Sequence, residues 1–129
     1  MSVNLSSYVV LLVDDDVHNQ RIFDTVLRHA GFTVHMAATG DEALRLAREA
    51  RPALILMDLS IPVVDGWECT RQLKADESTS HIIILALTAH AMRGDAERAK
   101  AAGCDGYLAK PISPRALVEE VKNRLGIPR

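Results

Sequence analysis

The sequence is poor in cysteine, in long apolar runs and in blocks of like charge. Its two cysteines, Cys69 and Cys104, form no Cys-x-x-Cys pair and have no histidine at zinc spacing. They read as small buried thiols of a reducing cytosol, not as a disulfide or a metal centre. No apolar run approaches the roughly 20 residues needed to cross a bilayer. Met1 to Ser7 lacks the charged start and apolar core of a secretory signal. The cytoplasm is therefore the expected location, with no membrane partner. The 15 basic and 17 acidic residues are interspersed. That argues against direct nucleic-acid binding, which needs a clustered basic face. There is no internal repeat and no low-complexity segment. One domain over residues 1–129, with its core at about 8–125, is expected. At 48% hydrophobic residues, a chain of this length buries a core without a metal or disulfide to hold it.

What is present is an alternation of two periods. Tyr8 to Val13 is a short, wholly apolar run that stops abruptly at Asp14, Asp15 and Asp16. Such runs suit strands buried on both faces. Ile22, Phe23, Val26, Leu27 and Ala30 then follow helical spacing, and Gly31 stops the helix. Thr33 to Ala37 predicts a second strand. Thr39 and Glu42 form a capping-box pattern for a helix with Ala43, Leu46, Ala47 and Ala50 on its apolar face, ended by Pro52. Leu54 to Met57 predicts a third strand ending at Asp58. Asp65 caps a helix running to about Leu73, after a loop from Leu59 to Val64 that contains Pro62. Ile82 to Leu87 is a fourth strand ended by Thr88. Met92 to Ala102 is a fourth helix closed by Gly103, and Gly106 to Ala109 is a short fifth strand. Ser113 caps a last helix with Pro114 in its first turn and Leu117, Val121 and Leu125 on its buried face. Five strands alternating with five helices predict an α/β fold, a parallel sheet covered on both sides, with right-handed crossovers.

In such sheets ligands bind beyond the carboxyl ends of the strands, and the polar residues gather there. Asp14, Asp15 and Asp16 follow the first strand, Asp58 the third, Thr88 the fourth and Lys110 the fifth. Clustered carboxylates repel unless a cation compensates them. All-oxygen ligands favour magnesium or calcium over zinc, and magnesium typically sits with one or two carboxylates and a phosphate. A carboxylate can also attack phosphorus to form an aspartyl phosphate, with a hydroxyl and a lysine holding the remaining oxygens. Asp58, Thr88 and Lys110 fit those parts. Taken singly, each residue has a plainer reading. The acidic triplet would cap a helix, Thr88 would be a strand-end hydroxyl, and Lys110 a solvated charge. Their convergence on one edge is what favours a site.

Four stretches carry a family resemblance: VLLVDDD (Val10 to Asp16), LILMDLSIPVVDGWE (Leu54 to Glu68), LALTAHAMRGD (Leu85 to Asp95) and GYLAKPIS (Gly106 to Ser113). In this order and spacing the chain resembles the receiver domain of two-component response regulators, over Tyr8 to about Leu125. The resemblance implies a flavodoxin-like, doubly wound fold with strand order 2-1-3-4-5. It implies Asp58 as phosphoacceptor, with Mg2+ bound by Asp15, Asp58 and the backbone carbonyl of Ser60, and by Asp14 mainly through water. Thr88 and Lys110 would contact the phosphoryl oxygens. Tyr107 would be the switch aromatic that turns inward as Thr88 moves, and Lys110-Pro111 would be a cis peptide. Ile61 departs from the more usual methionine, a volume-conserving change. Ser60 and His90 occupy positions that tune phosphoryl lifetime in the family. His90 could titrate near neutral pH, though a plain exposed histidine is the simpler reading.

The implied function is a signalling phosphoacceptor, not a turnover enzyme. It would be charged by a sensor histidine kinase or a histidine phosphotransfer protein and read by a downstream protein target. The alanine-rich fourth helix buries little area, so the surface of that helix, Tyr107 and the last helix is expected to change on phosphorylation. The chain ends soon after the last helix, so output by protein contact or phosphoryl relay is expected, from a stand-alone protein or a receiver cut from a hybrid kinase. Three rival readings stand beside it. A small magnesium-dependent phosphohydrolase would share Asp14-x-Asp16 but expects Ser or Thr where His18 stands. An FMN carrier would need a Ser/Thr/Gly-rich loop where the acidic triplet stands. A receiver scaffold that is never phosphorylated would not need the full set of chemical residues. Oligomeric state is left open.

Overall fold

The computed structural model describes residues 5–59, 61, 63–88 and 94–127. The strands are β1 (Val9–Val13), β2 (Thr33–Ala37), β3 (Leu54–Asp58), β4 (Ile83–Thr88) and β5 (Gly106–Ala109). They alternate with α1 (Val17–Ala30), α2 (Gly40–Ala50), α3 (Gly66–Ala75), α4 (Asp95–Ala102) and α5 (Pro114–Leu125). All pairings are parallel, and the sheet order is β2-β1-β3-β4-β5. This is the predicted topology.

The side-chain period of 2 in each strand divides the core into two layers. Leu11, Val13, Ile55, Met57, Ile84 and Ala86 face α2, α3 and α4. Val10, Leu12, Leu54, Leu56, Leu85 and Leu87 face α1 and α5. Both faces are dry, which is why these strands read as continuous apolar runs.

Helix ends follow the capping chemistry. Thr39 accepts a hydrogen bond from the Glu42 amide, and Glu42 accepts one from the Ala38 amide at 2.9 Å. Asp65 caps α3 through the Glu68 amide, and Ser113 caps α5 through the Ala116 amide. Gly31 closes α1 in the left-handed region at φ 110°, which favours glycine.

Several details differ from the pattern-based expectation. Ile22, placed on the apolar stripe of α1, is 49% exposed. Phe23 and Leu27 carry that helix's burial instead. On α2 the deeply buried leucine is Leu44, while Leu46 is only partly buried. The described part of α4 begins at Asp95. Met92, Ser60, Pro62 and His90 lie outside the described residues. α3 runs to Ala75 and β4 includes Thr88. No helix among the described residues is long and apolar enough to cross a membrane.

Candidate phosphoacceptor and metal site

The carboxyl ends of β1, β3, β4 and β5 deliver Asp14, Asp58, Thr88 and Lys110 to one edge. The acidic triplet divides its labour. Asp16 is the N-cap of α1, with its carboxylate accepting from the His18 and Asn19 amides at 2.8 and 3.3 Å. Asp16 thus takes the capping role, which leaves Asp14 and Asp15 beside Asp58. Asp14 is fully buried, Asp58 is 3% exposed and Asp15 is exposed. One ligand oxygen from each of Asp14, Asp15 and Asp58 falls within 4.8 Å of the other two.

Lys110 reaches between the two buried acids. Its Nζ donates to Asp14 Oδ2 at 3.1 Å and to Asp58 Oδ2 at 3.2 Å. The Lys110-Pro111 peptide is cis, and the lysine is held by its own amide, which donates to the Thr88 carbonyl at 2.7 Å. Among the described residues, one cation therefore contacts two carboxylates with a third nearby. Burial pushes the Asp14 carboxyl up from its ordinary value, more than the Asp16 amide and the Lys110 charge pull it down, and Asp58 adds to the rise. Burial alone would lower the Lys110 ammonium, but the charges of Asp58 and Asp14 outweigh it and hold its pKa above the usual lysine value. Every nearby donor atom of the acids is oxygen. Compact, all-oxygen and short of positive charge, this set suits a hard divalent cation, so the residues present fit magnesium.

Backbone packing fixes the position of Asp58. Gly66, the first residue of α3, lies directly on the strand end. A Cβ there would sit 2.6 Å from the Asp58 carbonyl oxygen and 2.5 Å from Leu59 Cα. Its amide donates to the Leu59 carbonyl at 3.2 Å. Ile61 is buried at 3% exposure, consistent with a volume-conserving replacement.

Tyr107 sits in β5 beside α4, half-buried against the α2–α3–α4 core, with its hydroxyl enclosed. Among the described residues no ion pair ties α4 to the rest of the protein. Its buried residues are Ala99 and Ala102, and the Arg98 guanidinium lies over the Trp67 ring, 4.4 Å from its centroid. Sequence reasoning missed that contact, as well as the reach of Gln20 back to the Asp14 carbonyl. Neither pair has a spacing that marks it in the sequence.

With this geometry in view, the comparisons with known proteins agree. The family model described as response regulator receiver domain matches residues 10–122. The polar-differentiation response regulator DivK of Brucella anthropi is 44% identical over 117 residues, covering 91% of this chain and 95% of its own. Among solved structures, the receiver domain of sensor histidine kinase PA1611 from Pseudomonas aeruginosa PAO1 superposes with a TM-score of 0.85 at 39% identity, covering 92% of this chain and 98% of its own. That structure carries a magnesium ion coordinated in its active-site cleft. Chemotaxis response regulator CheY4 of Vibrio cholerae superposes with a TM-score of 0.85 at 32% identity, covering 90% and 97% of the two chains. DivK and CheY4 are response regulators, in line with the expectation from the residues. The chain belongs to the response regulator receiver domain family, the phosphoacceptor switches of two-component signalling.

Proposed function

We propose that residues 1–129 act as a single cytoplasmic receiver domain that takes a phosphoryl group on Asp58. The observation that carries this reading is the contact of one lysine with two buried carboxylates beside a third, exposed one. The donor is a phosphohistidine on a sensor kinase or a histidine phosphotransfer protein. An Asp58 carboxylate oxygen bonds to phosphorus as the phosphorus–nitrogen bond breaks, and the imidazole leaves with the electron pair and takes up a proton.

Asp14, Asp15 and Asp58 would hold Mg2+, with the Ser60 carbonyl as a further ligand. When bound, the ion neutralises charge on the transferring group and on the acids around it. Lys110 supplies the protein's own positive charge, within 3.2 Å of the accepting carboxylate. Thr88, at the end of β4, supplies a hydroxyl to a phosphoryl oxygen. Burial of Asp14 and Asp58 keeps the neighbourhood low in dielectric, which strengthens each of these interactions.

Output follows through the face made by α4, β5 and α5. Thr88 moves toward the phosphoryl group, Tyr107 repacks, and α4 shifts because little holds it. A downstream protein, or the next carrier in a relay, reads that face. Incubation with a histidine-phosphorylated phosphotransfer protein and Mg2+ tests this, with intact mass recorded over time. Gain of one phosphoryl group by the parent chain and none by Asp58→Asn is expected. Equal uptake by both would overturn the assignment.

A further inference from the structure

Asp15 presents a puzzle that the acids alone do not resolve. It is exposed, and among the described residues its carboxylate has no hydrogen-bond or ion-pair partner, yet it lies within ligand distance of Asp14 and Asp58. A free aspartate on a loop would sample several rotamers and dilute any site it joins. What is fixed is the backbone on either side of it. The peptide after Asp15 is pinned because the Asp16 amide donates to Asp14 Oδ1 at 2.9 Å. The peptide before Asp15 is pinned because Gln20 Nε2 donates to the Asp14 carbonyl oxygen. Gln20 is itself locked into the first turn of α1, its amide donating to the Asp16 carbonyl at 3.0 Å. Asp16 completes the turn by capping the helix.

We infer that Gln20 is a positioning residue for the metal site: its side-chain amide, by holding the Asp14 carbonyl, sets the direction in which Asp15 offers its carboxylate. This rests on the reading of Asp14, Asp15 and Asp58 as magnesium ligands and extends it to a residue outside the acids. Supporting groups of this kind orient ligands, and their loss commonly costs 10–100-fold in metal affinity. A side chain that only filled space would not carry that cost.

The test is titration of the intact chain with Mg2+ alone, followed calorimetrically, with circular dichroism confirming the fold. Gln20→Met keeps length, neutrality and helix preference but cannot donate. It raises the Mg2+ dissociation constant about tenfold, and phosphoryl uptake recovers when Mg2+ is raised to saturation. Gln20→Asn, which retains the amide but withdraws it, shifts the constant in the same direction and serves if the methionine variant folds poorly. Thr25→Met, on the exposed face of the same helix, leaves it unchanged. In the metal-free protein, Gln20→Met speeds amide exchange at Asp16 selectively, not across the sheet. A dissociation constant within twofold of the parent would overturn the role of Gln20 while leaving the magnesium site intact. A parent chain that binds no Mg2+ would instead overturn the metal reading itself, and this inference with it.

Discussion

Two lysines sit among acids at opposite ends of the sheet, and their surroundings differ in one respect that separates structure from function. At the amino ends of the strands, Lys74 donates to the Ser80 and Ile82 carbonyls at 3.2 and 2.6 Å and to Asp105 Oδ2 at 2.9 Å. The same Asp105 oxygen accepts the Ile84 amide at 2.8 Å. There one cation meets one carboxylate, and the remaining polar groups find backbone partners. At the carboxyl ends, Lys110 meets two carboxylates with a third nearby. The first cluster is charge-balanced and clamps α3, β4 and β5 together. Among the described residues the second is short of positive charge, a state a folded protein keeps when something else completes it.

The comparison breaks most visibly in chemistry. Asp58→Asn abolishes phosphoryl uptake measured by intact mass, whereas Lys74→Met leaves uptake within about twofold of the parent, because the amino-end clamp takes no part. The order reverses for folding. Lys74→Met leaves Asp105 and two carbonyls short of a donor and lowers urea stability by about 1–2 kcal/mol. The figure is kept modest because this pair is partly solvated.

Asp14 sharpens the contrast through pH. Its folded pKa is raised above the unfolded value, mainly by burial. Its contribution to stability is therefore complete below the ordinary aspartate value of 3.8 and is lost as pH rises through the raised folded value. At neutral pH the metal-free protein carries this burden, so Asp14→Asn stabilises it by about 1 kcal/mol, read as a higher melting temperature. The parent gains melting temperature from Mg2+ at neutral pH, and the gain shrinks as pH falls through the raised value of Asp14. Asp14→Asn loses most of that gain at any pH.

Smaller effects lie away from both lysines. Val63, in the loop beside the acids, is a β-branched residue at φ 74° and 76% exposed. Val63→Gly relieves that strain and raises stability by about 0.5 kcal/mol in urea unfolding. The two cysteines are buried, and burial pushes the Cys69 thiol up to about 12 and Cys104 in the same direction. Neither reacts measurably with iodoacetamide at pH 8 in the native state, and both react in urea.

Much of this was legible in the sequence because the governing effects are local or periodic. Strands buried on both faces must be apolar throughout, so Val10 to Val13 and Leu54 to Met57 announce themselves. Caps are short-range, so Thr39, Asp65 and Ser113 were readable from their neighbours. The candidate site was legible because Asp14, Asp58, Thr88 and Lys110 each interrupt an apolar run where a strand ends. Ile22 was misjudged because helical periodicity marks a stripe without showing where packing stops. The Lys74–Asp105 clamp spans 31 residues, and nothing in a lysine and an aspartate so far apart signals that they meet. The separation of Asp16 from Asp14 and Asp15 needed the position of the helix start to within one residue.

On this reading the unbalanced edge, completed by magnesium, makes Asp58 the acceptor. Borohydride reduction of the acetyl-phosphate-treated protein, followed by peptide mass mapping, tests it most directly, since an aspartyl phosphate is reduced to homoserine at the modified position. Homoserine at position 58, formed with Mg2+ and absent when the metal is chelated, is the predicted result. Homoserine at another aspartate, or at position 58 regardless of Mg2+, would contradict the account.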